Sequence, residues 1–152
     1  MKNLSSAQID ALKKGFQGTV IAAGDAAYDS ARQIWNAMVD KRPAAIVQCA
    51  TTSDVVHAVN FARAHQVPLA VRGGGHNIAG SALRDDAIVI DLSQMKAVQV
   101  DAGARRASVE GGTTLADFDA AAQAHGLATP LGINSTTGVA GLTLGGGFGW
   151  LS

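Results

Sequence analysis

The sequence predicts an α+β fold in which a small parallel βαβ subdomain is followed by a mixed or antiparallel one. Three observations carry this expectation. Ala44-Ala45-Ile46-Val47-Gln48-Cys49 and the run Val67 to Val71 read as buried strands either side of one helical stretch; a strand, a helix and a strand with short connections predict parallel pairing and a right-handed crossover. Further on, Ala97-Val98-Gln99-Val100-Asp101 and Arg105-Arg106-Ala107-Ser108-Val109-Glu110 alternate around Asp101-Ala102-Gly103-Ala104, the pattern of a hairpin. The 18 glycines concentrate after Val71 and in the last quarter of the chain, which reads as too glycine-rich for an ordinary helix or strand.

In chain order, Ser5 or Ser6 can cap a helix whose Ile9, Leu12 and Phe16 share one face. Gly24 to Asp29 reads as a turn. Asp29 or Ser30 can cap a short segment with Ile34, Trp35, Met38 and Val39, in which Trp35 is expected in the core. Pro43 ends that segment. Thr52 or Ser53 is the expected cap of the helix between the two strands, with Val55, Val56, Val59, Phe61 and Ala62 as its apolar face and an end near His65. Ala87-Ile88-Val89-Ile90-Asp91-Leu92 is a third apolar strand. Gly111-Gly112 break the hairpin pattern, and Thr113 or Thr114 caps a helix from Leu115 through Phe118 to Ala124, stopped by Gly126. The expected subdomains are about 1–92 and 93–152.

Composition excludes several classes. A chain of 152 residues with 47% hydrophobic and 16% charged residues can bury a core as one domain. Lys+Arg equal Asp+Glu, so no basic surplus points to nucleic acid or an anionic membrane, and the expected partner is a small molecule. The single cysteine, Cys49, reads as a small core residue, and no cysteine spacing suggests a metal site. Met1 to Gln8 has no apolar stretch of the signal-peptide kind and no later run could span a bilayer, so a cytoplasmic location is the expectation.

The chemistry concentrates in Arg72-Gly73-Gly74-Gly75-His76-Asn77, at the end of a predicted parallel strand, where ligands sit in such sheets. Consecutive glycines let a backbone approach a phosphate and point N–H groups at it; Arg72 could neutralise its charge and His76 offers a nucleophilic imidazole. A dinucleotide fingerprint is testable by spacing. The third glycine of G-x-G-x-x-G would fall at Ile78, Trp150 or Ser152, and no Walker sequence exists. The remaining histidines, His57, His65 and His125, read as surface or helix-end residues. Asp85-Asp86 reads as a turn, Arg105-Arg106 as a solvated hairpin edge, and Asp117 and Asp119 do not face each other on their helix.

Four segments together resemble the FAD-linked oxidases of the vanillyl-alcohol oxidase type, and within them the berberine bridge enzyme-like group. They are Ala31-Arg32-Gln33-Ile34-Trp35-Asn36, Pro43-Ala44-Ala45-Ile46-Val47, the Arg72 loop, and the tail from Gly138 through Gly145-Gly146-Gly147 to Ser152. The resemblance implies a PCMH-type FAD-binding domain, incomplete at its C-terminus, and FAD attached covalently through His76. It further implies that Arg72, Gly73, Gly74, Gly75 and Asn77 offer N–H groups to the pyrophosphate, and that Thr137, Gly138, Gly141, Gly146 and Gly147 form the opposite wall. Many members of the group add a second flavin bond from a cysteine; Asn134 stands at that position, so one bond is expected. The parent reaction implied is oxidation of an alcohol, sugar or amine-type substrate by hydride transfer to flavin N5, with O2 as acceptor. Members continue well past the tail and carry their catalytic base there. This chain is therefore expected to hold the cofactor without being catalytically complete, as a fragment or with a second chain supplying the rest. Two other readings stand beside this one: a non-catalytic flavin- or nucleotide-binding module or assembly partner, and a non-covalent FAD site.

Overall fold

Alternation along two buried strands explains the layering of the first unit. In the computed structural model, which describes residues 4–150, β2 (Ala45–Gln48) and β4 (Ile88–Asp91) pair in parallel. Ala45, Val47, Ile88 and Ile90 face one side of the sheet and Ile46 and Val89 the other, each set in its own core cluster. Strands buried on both faces need cover on both. One side is covered by α1 (Ser6–Lys13) through Ile9 and Leu12 and by α3 (Thr52–His65) through Ala58, Phe61 and Ala62. On the other side lie Tyr28 of α2 (Tyr28–Ala31) and the 34–39 segment, with Ile34 and Val39 packed on Ile46 and Val89.

The sheet has the order β1-β2-β4-β3, so the expected parallel pair is not adjacent: β3 (Leu69–Arg72) and β2 both flank β4. The first strand, β1 (Thr19–Ala22), runs antiparallel to β2 with Val20 opposite Val47 and was not expected from the sequence. The four residues Thr19–Ala22 carry little periodic signal, and pairing with β2 alone makes them a strand. The hairpin β5 (Val98–Asp101) and β6 (Arg106–Val109) forms as expected, and α4 (Leu115–Gln123) packs on it through a cluster of Leu115, Phe118, Ala122 and Val139.

Several local expectations change. Thr51, not Thr52 or Ser53, caps α3, and the exposed Val56 and Val59 do not belong to its buried face, which is Asp54, Ala58, Phe61 and Ala62. The 32–39 stretch forms turns after the short α2, and Phe16 follows α1 instead of extending it. The glycine-rich tail contains a helix, α5 (Val139–Gly145), held by Val139 and Leu142 against the α4 cluster; packing outweighs the low helix propensity of Gly141. Leu151 and Ser152, the last residues of the tail segment, lie outside the described residues, as do Met1 to Asn3. Among the described residues no helix is long and apolar enough to cross a membrane and no cluster of metal-ligating side chains exists. Cys49 is fully buried, and burial pushes its thiol up to about 12, consistent with a packing role.

Asp54 ties the entry of β1 to α3. Its carboxylate is buried and accepts from the backbone N–H groups of Gln17 (2.8 Å), Ala50 (3.0 Å) and Thr51 (3.1 Å). Desolvation alone would raise its pKa, but these donors outweigh it and hold the carboxyl below the usual carboxylate range. Its stabilisation is therefore complete above the unfolded carboxylate pKa and is lost as pH falls through the depressed folded value. Replacing Asp54 with Ala is expected to lower unfolding free energy by about 2 kcal/mol at neutral pH. Urea titrations should show that difference shrinking on acidification below about pH 4.

Candidate functional site: a glycine-walled cleft around His76

β3 delivers Arg72 to the C-terminal edge of the sheet, directly opposite Asp91 of β4. The Arg72 side chain does not reach out for a phosphate. It is buried, donates from Nη2 to Asp91 Oδ2 (2.6 Å), and from Nη1 to the carbonyls of Ala31 (2.6 Å) and Gln33 (3.3 Å). The phosphate-neutralising role expected for its guanidinium is thus replaced by a structural one. It anchors the 31–36 segment, which then reaches the loop twice more: Trp35 N–H donates to the Gly75 carbonyl, and Asn36 Nδ2 donates to the Ile78 carbonyl (2.9 Å).

That lacing puts Trp35 in the site. Instead of the core place expected for it, the indole is exposed and stacks on the His76 ring, with centroids 5.1 Å apart and planes inclined by 23°. His76 Nε2 lies 2.7 Å from Thr136 Oγ1, so the tail touches the ring from another side. Burial holds the imidazole below its ordinary value, leaving it neutral near pH 7.

Loop and tail meet backbone to backbone. A Cβ on Gly74 would lie 2.3 Å from Gly138 N, and one on Gly138 would lie 2.5 Å from Gly74 N. These two glycines are therefore required by each other. Gly73 is confined in the same way by the Gly111 carbonyl, and Gly75 takes a φ of +70° that disfavours any side chain. The tail is in turn stitched to α4 by Leu115 N–H to the Thr137 carbonyl and Val139 N–H to the Thr113 carbonyl, both 2.9 Å.

Between loop and tail lies a cleft of about 610 Å³. Of the predicted site residues, Gly73, Gly74, Gly75, His76 and Asn77 line it from the loop, and Thr137, Gly138, Gly141 and Gly146 from the tail. Gly147 does not; it packs against the Leu142 side chain. Gly145, which the sequence reading did not single out, lines the cleft in its place. Gly141 and Gly145 have no atom within 4 Å of where a Cβ would stand, so one face of α5 is bare backbone. None of the N–H groups from Gly73 to Asn77 donates to an acceptor among the described residues. Such a run of free donors beside a bare helix face fits an extended anionic cofactor such as FAD. A second cleft of about 660 Å³, over β5, β6 and α4, is lined by Phe118, Ala122 and Leu131 among others and contains neither the loop nor His76.

Comparison with known proteins agrees with this geometry. Residues 43–152 match the family model described as FAD binding domain, and the chain belongs to that family. It is similar to FAD-linked oxidoreductase hasG of Aspergillus fumigatus, 41% identical over 87% of this chain and 28% of that protein. It is also similar to (R)-6-hydroxynicotine oxidase of Paenarthrobacter nicotinovorans, 36% identical over 90% of this chain and 30% of that protein. Among solved structures, that of Physcomitrella patens BBE-like 1 superposes with a TM-score of 0.88 at 32% identity, over 94% of this chain and 31% of the other. The fold is thus the PCMH-type FAD-binding fold of FAD-linked oxidoreductases related to the berberine bridge enzyme-like group, and the cofactor class is FAD. The chain spans about 30% of the length of the curated relatives it matches.

Asp91, Trp35, Thr136 and Gly145 escaped the sequence reading. Trp35 lies in the 31–36 segment and Asp91 in the third apolar strand, and no spacing connects either to the loop. Two outcomes are expected from the packing. Arg72→Met, which leaves the buried Asp91 carboxylate without its cation, should cost on the order of 3 kcal/mol in chemical denaturation, and adding Asp91→Leu should recover part of it. Gly74→Ala should cost about 1–3 kcal/mol by forcing loop and tail apart, and limited proteolysis should then cut the chain between 130 and 150.

Proposed function

We propose that this chain is the cofactor-holding part of an FAD-linked oxidase whose flavin is attached at a single point, through the His76 ring. The observation that carries the reading is the cleft, lined by Gly73 to Asn77, whose N–H groups donate to no acceptor among the described residues, and by Gly141 and Gly145, with a neutral imidazole in its lining. The loop N–H groups would hold the pyrophosphate, and Thr137, Gly138, Gly141 and Gly146 would border the ribityl side. FAD bound there supplies a two-electron acceptor for hydride from an alcohol, sugar or amine-type carbon, with O2 as final acceptor and hydrogen peroxide as product. The likeness to a 6-hydroxynicotine oxidase supports the amine-type member of that substrate class.

Within this chain the residues have defined work. Trp35 packs on one face of His76 and limits its hydration, and burial keeps the ring unprotonated so that a nitrogen lone pair remains available. Asn134, at the position of the second attachment residue in the resembling group, has no thiol to offer, so a single bond follows. Among the described residues no carboxylate or tyrosine lines the cleft, so we assign the substrate base and the cover over the flavin ring to other parts of a complete enzyme, in the same polypeptide or a second one.

Incubation of the purified chain with FAD in air should add the mass of one FAD to the peptide containing His76 and leave the protein yellow after denaturation. His76→Ala should bind FAD that denaturation releases. A wild-type chain that stays colourless and unmodified would overturn the reading; FAD fully released from it by denaturation would reduce it to a non-covalent site.

A further inference from the structure

The His76 ring is fixed by a short hydrogen-bond relay that the cofactor cradle itself does not need. Asn134 Oδ1 lies 3.0 Å from Thr136 N and 2.8 Å from Thr136 Oγ1. A backbone N–H can only donate, so the Asn134 atom facing it is the amide oxygen. The Thr136 hydroxyl, pointed at the same oxygen, must then donate to it as well. That leaves the Thr136 oxygen as an acceptor towards His76 Nε2, 2.7 Å away, and requires the ring proton to sit on Nε2. Nδ1 is left with the lone pair and without a hydrogen-bond partner among the described residues. A half-turn of the ring would place a C–H against Thr136 and lose the bond, and the Trp35 indole closes one face.

We infer that Asn134 and Thr136 are positioning residues for His76, holding its imidazole in one orientation and in the Nε2–H form so that Nδ1 is the reactive edge. The inference deepens the single-point attachment proposed above and rests on it. Attachment uses the Nδ1 lone pair for the new N–C bond and sheds two protons, one from the flavin methyl carbon and one from Nε2. The two electrons of the broken C–H bond leave on O2, which departs with two protons as hydrogen peroxide. Thr136 accepts from the very N–H that must give up its proton. A cysteine at 134 could not accept both Thr136 donors as an amide oxygen does, since sulfur is a weak acceptor. Asn134 is therefore more than the absence of a thiol: it orients the attachment histidine.

Three variants of the full chain separate this role from simple packing. Thr136→Val keeps the side-chain shape and removes the hydroxyl, Thr136→Ser keeps the hydroxyl, and Asn134→Ala frees the hydroxyl to rotate. The first measurement needs no FAD: nitrogen–proton NMR of the histidine rings. Wild type and Thr136→Ser should show a His76 Nε2–H signal protected from exchange with water; Thr136→Val should lose it and Asn134→Ala should weaken it. The second is the rate at which the chain gains FAD mass, expected to fall at least about tenfold in Thr136→Val and to be restored in Thr136→Ser. A Thr136→Val chain that keeps the ring signal, or that attaches FAD at the wild-type rate, would overturn the inference. If the ring signals behave as expected while wild type never gains FAD mass, the attachment reading fails and the positioning of the ring stands.

Discussion

The site depends on one buried ion pair, Arg72 with Asp91, at the C-terminal ends of two neighbouring parallel strands. Two charges out of water are tolerated only when their hydrogen-bonding capacity is met, and here it is met from several directions. Asp91 also accepts from Ser93 N–H and Gln48 Nε2, while Arg72 reaches across to the Ala31 and Gln33 carbonyls. The pair therefore fixes the height of the 31–36 segment over the sheet edge. Everything that segment contributes follows from that placement: Trp35 against His76, Trp35 N–H on the Gly75 carbonyl, and Asn36 on the Ile78 carbonyl. An arginine next to a glycine loop invites a phosphate-binding reading. In this fold its charge is directed inward, and the loop's own N–H groups are what remain for an anion.

Glycine acts in two distinct ways around the cleft. At Gly74 and Gly138 the missing side chain lets two backbones touch, which joins the first α/β unit to the tail. At Gly141 and Gly145 it leaves a helix face bare, which makes room for a ligand. A sequence shows both as the same letter. The difference lies in what stands opposite: Gly147 meets the Leu142 side chain and not the cleft. The tail's helix has a similar origin, since Val139 and Leu142 find the α4 cluster and that contact outweighs intrinsic propensity.

The sequence by itself determined the elements whose signals are local. The helices α3 and α4, the apolar strands β2 and β4 and the β5–β6 hairpin were legible because apolar periodicity and alternation act over a few residues, and the loop and tail pointed to an FAD-binding domain through their family resemblance. Tertiary structure alone decided the rest. β1 exists through its partner β2. Trp35 left the core because Arg72 holds its segment at the sheet edge. His76 meets the Thr136 hydroxyl, sixty positions away in the chain. Each of these rests on a contact between residues far apart in the chain, whose energy depends on a geometry that no local pattern of residues encodes.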